Sequence, residues 1–222
     1  MEGSRLQILQ ILQRNRTDTV DGLARAIGLA PATVQRHLDI LQRDRLVAFT
    51  EVRKKTGRPE YAFYLTEGGQ ESLPKDYDGM LGAIVQELSA LTADETSSRD
   101  GEDLLELVFA RMGDAAARKH EEILDGKGMG DRLTALTAQL SQDNFFPETD
   151  IGPDGSLKIS LLNCPFRAVA MRNKAVCDFD RNLIASLLKV PVTREQCISD
   201  GHSGCVYSAN IAARTKQEVA PA

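Results

Sequence analysis

Gly28 and Pro31 stand three positions apart between two segments patterned for helices, and this spacing constrains the start of the chain most tightly. Upstream, Leu6, Leu9, Ile11 and Leu12 recur at helical spacing and predict a helix near 4–15. Leu23, Ala24 and Ile27 predict a second helix over 20–27, with Thr19 as its cap. Gly28 suits the left-handed residue that ends a helix. Pro31 suits the first turn of the next, expected over 31–44, whose inner stripe is Val34, Leu38 and Leu41.

The segment that follows alternates. Val47, Phe49 and Val52 predict a strand over 46–53, and Glu60 to Leu65 predict a returning one. Between them Arg53, Lys54, Lys55 and Arg58 place four cations in six residues. Two helices joined by a glycine turn and followed by a basic hairpin make a winged helix-turn-helix over residues 5–66. In such a module the start of the third helix enters the major groove. Thr33, Gln35, Arg36 and His37 fall off the apolar stripe and are expected to face outward. Glutamine and arginine read adenine and guanine edges through paired hydrogen bonds. The four wing cations suit phosphate or minor-groove contact, so the expected partner is double-stranded operator DNA.

Charge agrees with this division. Residues 1–66 carry a balance of +4 and the remainder −9, within a total of −5. The basic part can meet phosphate while the acidic part keeps the chain soluble. The Gly57-Arg58-Pro59 tip followed by Tyr61 to Gly69 resembles the wing of ArsR- and DeoR-like bacterial regulators. That resemblance implies a homodimer on two half-sites.

Beyond the hairpin, helices are expected over 76–93, 102–124 and 131–142, with Asp94 to Gly101 as a link. Phe145, Phe146 and Ile151 suggest a strand, and Leu157, Ile159 and Leu161 alternate as a second. Residues 165–171 and 178–188 read as helices, and 190–198 with 205–211 as a terminal hairpin. The expected fold class is α+β in four parts. These are a winged helix over 1–70, a helical dimerisation and linker region over 71–143, a small α+β sensor domain over 144–213 and a disordered tail over 214–222. The chain has no run of 18 apolar residues, and its first 16 residues lack the unbroken apolar core of a signal peptide. A cytoplasmic location without membrane contact is expected.

All four cysteines fall in the last third, as Cys164-x12-Cys177-x19-Cys197-x7-Cys205. Structural zinc favours pairs two to four residues apart, and this spacing provides none. Separate elements can meet the corners of an iron–sulfur cluster, so wide spacing is compatible with one. Pro165 marks a helix start, where Cys164 would gain thiolate character. Asp200 and His202 lie in the last turn as reserve ligands. Plainer readings stay open: Cys177 as core beside Val176 and Phe179, Cys197 with Cys205 as a redox pair, or all four as packing residues.

Asn163-Cys164-Pro165-Phe166-Arg167, Cys177, and Gly201-His202-Ser203-Gly204-Cys205-Val206-Tyr207 together resemble the SufR-type iron–sulfur repressors. The resemblance implies one 4Fe–4S cluster per subunit and control of cluster-assembly genes in response to iron or redox status. It assigns Cys164, Cys177 and Cys205 as ligands. Cys205 falls one residue earlier than the pattern's last cysteine, and Pro191 stands where its third is expected. Cys197 is therefore off-register, and His202 is first in line for the remaining iron. The alternative is a winged-helix regulator whose C-terminal part binds a small molecule or zinc, with structural or redox-active cysteines. An enzyme with a cysteine nucleophile ranks low. His120 and His202 are the histidines nearest in sequence, and no Cys/His motif surrounds them.

Overall fold

The computed structural model describes residues 3–52 and 60–212. It is a mixed α+β chain with an N-terminal winged helix-turn-helix, and it divides into two units, Met1–Lys75 and Asp76–Ala222. The tail expected over 214–222 lies outside the described residues.

In the first unit, α1 (Ser4–Asn15), α2 (Val20–Ile27) and α3 (Pro31–Arg43) precede a hairpin of β1 (Val47–Val52) and β2 (Glu60–Leu65). Local chemistry sets these limits. Thr19 Oγ1 accepts from Gly22 N at 3.1 Å to open α2, and Gly28 closes it at φ 70°. Ile8, Leu9, Leu12, Leu23, Val34, Leu38 and Leu41 are buried together with Val47, Phe63 and Leu65 of the hairpin. Asp18 and Phe63 exchange two backbone hydrogen bonds, at 3.0 and 2.8 Å, tying the α1–α2 turn to the wing. Thr66 caps α4 (Glu67–Glu71), which runs through Gly68 and Gly69.

The second unit begins with α5 (Tyr77–Ser89). α6 (Ala93–Thr96), opened by a reciprocal Thr92–Glu95 capping box, overlaps the start of the linker expected over 94–101. The helix expected over 102–124 is two: α7 (Gly101–Arg118) and α8 (Glu121–Leu124), broken at Lys119–His120. α9 (Met129–Gln142) follows. Then come β3 (Pro147–Ile151), β4 (Ser156–Leu161), α10 (Arg167–Ala170), α11 (Asp178–Leu188), β5 (Val192–Gln196) and β6 (Cys205–Asn210). The four strands form one antiparallel sheet in the order β3-β4-β6-β5. Phe145 and Phe146 lie outside the strand expected to hold them. Phe145 is buried in the core, and Phe146 turns the chain at φ 52°.

The middle helices and the cysteine-bearing third share one hydrophobic core, although the sequence suggested separate segments. Val108, Phe109 and Met112 of α7 pack in the same cluster as Leu157 and Ile159 of β4, Leu183 and Ile184 of α11 and Tyr207 of β6. An amphipathic helix hides its apolar stripe only against another apolar face, and here the sheet and α11 supply it.

α7 and α11 pack tightly against each other. A Cβ at Gly113 would collide with the Phe179 carbonyl oxygen and the Leu183 amide. Gly113→Ala is therefore expected to destabilise the protein by about 1–3 kcal/mol through overpacking. Gly82→Ala, in an exposed stretch of α5 with open space at the Cβ position, should stabilise by roughly 0.5–1 kcal/mol. Urea unfolding midpoints check both, and equal shifts of one sign would contradict the packing account.

Candidate functional site

The start of α3 presents Thr33, Gln35 and Arg36 to solvent, as expected. His37 differs. It is half-buried, and its Nδ1 is enclosed without a hydrogen-bond partner among the described residues. The reason is helical geometry: residue 37 lies three positions after Val34 and four before Leu41, on the flank of the buried stripe. Gln35 Nε2 donates to Asp39 Oδ1 at 2.8 Å, a one-turn pair that the sequence reading missed.

In the wing, Glu51 pairs with Tyr61 and Phe49 with Phe63, so Phe49 and Tyr61 project from one face. Their rings meet edge to face at 4.7 Å, and each is nearly half exposed. Arg53, Lys54, Lys55 and Arg58, expected at the wing tip, lie outside the described residues.

The second site is built by strand register. Cys205 opens β6 opposite Leu161. Cys197 follows β5 after a bulge between Arg194 and Gln196, which resets the alternation and turns Cys197 inward. Cys177 ends the 3-10 turn Lys174–Cys177 that leads into α11. The three sulfurs meet: Cys177 Sγ lies 3.5 Å and Cys205 Sγ 3.8 Å from Cys197 Sγ. Ser199 Oγ is 3.0 Å from the same sulfur. Cys197, off-register in the SufR-type pattern, thus stands at the centre. A bulge alters which residues face inward without altering their spacing in sequence, so the spacing alone could not show this.

Electrostatics distinguishes the three thiols. With Cys177, Cys205 and Ser199 donating to it, the Cys197 thiol is pushed well below the usual range. Cys177 and Cys205 are pushed up, first by donating to Cys197 and then by burial. The Lys174–Asp200 ion pair joins the turn that carries Cys177 to the turn that follows Cys197. Arg194 Nη1 donates to the Cys177 carbonyl at 3.2 Å.

Cys164 is half-buried against the same core. The helix expected immediately after it begins only at Arg167, three residues beyond Cys164, and runs to Ala170. α10 packs against both 3-10 turns, Lys174–Cys177 and Ile198–Asp200, which brings the Cys164 segment near the other cysteines. His202 is exposed, and its backbone N–H donates to the Cys197 carbonyl at 3.4 Å.

Among the described residues, no group of three or more His, Cys, Asp and Glu side chains is arranged around a single metal ion. The donor set nevertheless suits iron–sulfur chemistry, since three thiols from separate elements converge and one is held toward its thiolate. Their sulfurs are in contact and would have to part to hold the corners of a cluster.

The helix-turn-helix with its wing makes the chain a DNA-binding regulator of the winged-helix type. Residues 2–48 match the family described as bacterial regulatory protein, arsR family. Among solved structures, Bacillus subtilis PadR in complex with operator DNA is similar at 16% identity, covering 83% of this chain and 95% of that one, with a TM-score of 0.29. That superposition is too loose to define a common fold. No curated protein matches the chain. Among the described residues, no helix is long and apolar enough to cross a membrane.

Beside the thiols, Tyr207 OH donates to Asp180 Oδ2 at 2.8 Å. Both residues are buried, and desolvation raises the Asp180 pKa from 3.8 to about 7 against the opposing Tyr207 bond. Between those values the unfolded carboxylate has lost its proton while the folded one keeps it. Folding then takes up a proton, and this group's contribution to stability falls as pH rises through the window. Asp180→Asn retains an acceptor for Tyr207 and removes the charge. The variant should match the wild type near pH 4 and exceed its stability at pH 8 by on the order of 2–4 kcal/mol. Thermal unfolding across that range checks it, and parallel curves would contradict the assignment.

Proposed function

We propose that this chain is a homodimeric repressor of the SufR type, which senses iron or redox status through a 4Fe–4S cluster and controls cluster-assembly genes. It acts by binding rather than by catalysis. The observation that carries the reading is the convergence of Cys177, Cys197 and Cys205 on one sulfur. Cys177, Cys197 and Cys205 would hold the cluster, with Cys164 as fourth ligand ahead of the exposed His202. The cluster supplies an oxygen-labile, redox-active cross-link among these elements. The Cys197 thiol needs least persuasion to ionise, so it offers the first ligand. Holding a cluster would require the three sulfurs to part, and with them the segments of β5, β6 and the start of α11 that carry them. DNA affinity responds only so far as the two arrangements differ in their preference for operator.

Homodimerisation is supported by α5. Leu81, Val85 and Leu88 recur at helical spacing and are 61%, 56% and 50% exposed, an apolar stripe suited to a second copy. Operator reading is assigned to Gln35 and Arg36, with the wing cations holding phosphate.

The test is anaerobic reconstitution with iron and sulfide. The wild type should show a broad shoulder in the visible blue, and Cys177→Ser, Cys197→Ser and Cys205→Ser should each purify colourless with near-native folding. Loss of colour in Cys164→Ser but not in His202→Ala assigns the fourth ligand. A colourless wild type under these conditions rejects the cluster, and a coloured Cys197→Ser rejects its central role.

For the DNA face, Arg36→Ala is expected to cost about 1–3 kcal/mol of operator affinity and to relax sequence preference. Lys55→Ala should weaken all sequences alike and flatten the salt dependence. Gel-shift titrations over a range of salt with matched and mismatched duplexes separate these effects. Sequence-selective loss in the Lys55 variant would reverse the roles.

A further inference from the structure

Helices α5, α7 and α9, with Phe166 and Phe179, border a partly open cavity of about 450 Å3. That volume falls in the range of small-molecule pockets. The space exists because Gly79, Ala83, Ala115 and Ala116 line it with little side chain. Its apolar walls are Met80, Met112, Phe166 and Phe179, all buried. The two thioethers adapt to an irregular guest.

The charged groups on the walls are not equivalent. Glu87 is buried and already paired with Arg111 at 2.8 Å. Asp76, Arg118 and Lys119 are exposed, where water screens them. Asp143 is half-buried, and the partner that reaches its carboxylate is an amide: Gln139 Nε2 donates to Oδ2 at 2.8 Å. Gln139 Oε1 lies 2.8 Å from His120 Nε2, which fixes the amide's orientation. Burial pushes the Asp143 pKa up and the Asp76 carboxylate adds to the effect, against the Gln139 hydrogen bond and the nearby Lys119 and His120.

We propose that this cavity binds an amphipathic organic cation, with its apolar body among Met80, Met112, Phe166 and Phe179 and its cationic end at the Asp143 carboxylate. A neutral guest would desolvate that carboxylate further without compensation, and an anion seated beside it would meet a like charge, with Arg118 and Lys119 exposed and screened at the cavity's edge. The cavity also touches the cysteine segments. Phe166 and Phe179 lie two residues beyond Cys164 and Cys177, and their rings meet edge to face at 5.6 Å. A guest that shifts either ring shifts the segment carrying the corresponding thiol. The cavity uses none of the four thiols, so its test is independent of the iron–sulfur reading.

The experiment titrates full-length, metal-free protein with proflavine, a planar fluorescent cation, and follows fluorescence anisotropy. One saturable site per chain is expected. Asp143→Asn, which preserves shape, should weaken the dye about tenfold, a change ordinary for losing one charge partner in a partly desolvated site. The anionic probe anilinonaphthalene sulfonate should bind the wild type more weakly than proflavine and should gain in Asp143→Asn. Ala83→Leu and Ala116→Leu fill the cavity, and either variant that keeps the wild-type circular dichroism spectrum should lose the dye. The proposal is overturned by non-saturable dye binding, by an Asp143→Asn affinity within twofold of wild type, by an anion that binds as tightly as the cation, or by dye retained in a folded filler variant.

Discussion

The approach of α7 to α11 at Gly113 governs what the rest of the second unit can be. With hydrogen alone at that position, the α11 backbone comes near enough for Leu183 and Ile184 to share a core with Val108, Phe109 and Met112. Cys177 stands at the head of α11, and Asp180 one turn further on reaches Tyr207 of β6. The same helix lines the cavity with Ala115 and Ala116. One close helix contact therefore positions both the thiols and the cavity, and its side chains leave little slack between them.

The thiol site is also defined by what supports it. A buried carboxylate and a buried phenol satisfy each other beside three sulfurs, and Arg194 holds the carbonyl of Cys177. Polar groups removed from water must find partners, and these do so across β6, α11 and β5. The arrangement makes the sulfur positions a property of tertiary packing rather than of any single loop.

Much of the first unit was legible in the sequence because its signals are local. Thr19, Gly28 and Pro31 act through hydrogen bonds and dihedral limits within a few residues, and α1, α2 and α3 fall where those residues place them. His37 was misread because an off-stripe position beside two stripe residues is still shielded. In the second unit, the break at Lys119–His120 carries no proline, and the bulge before Cys197 has no sequence signature. The cavity was invisible for a different reason. It is made from small residues on separate helices, and only packing shows that nothing fills the space between them.

The meeting of three thiols at one atom has a consequence of parity. Disulfide formation consumes sulfurs in pairs, and three is odd. Cys197 is the sulfur that touches both others, so the two contacts present, Cys177–Cys197 and Cys197–Cys205, cannot both become bonds in one molecule. Whichever forms leaves the third thiol beside the newly made bond, positioned to attack it and trade places. Oxidation of the metal-free protein would then yield a bond that migrates between β6 and the start of α11, a shuttle rather than a fixed staple.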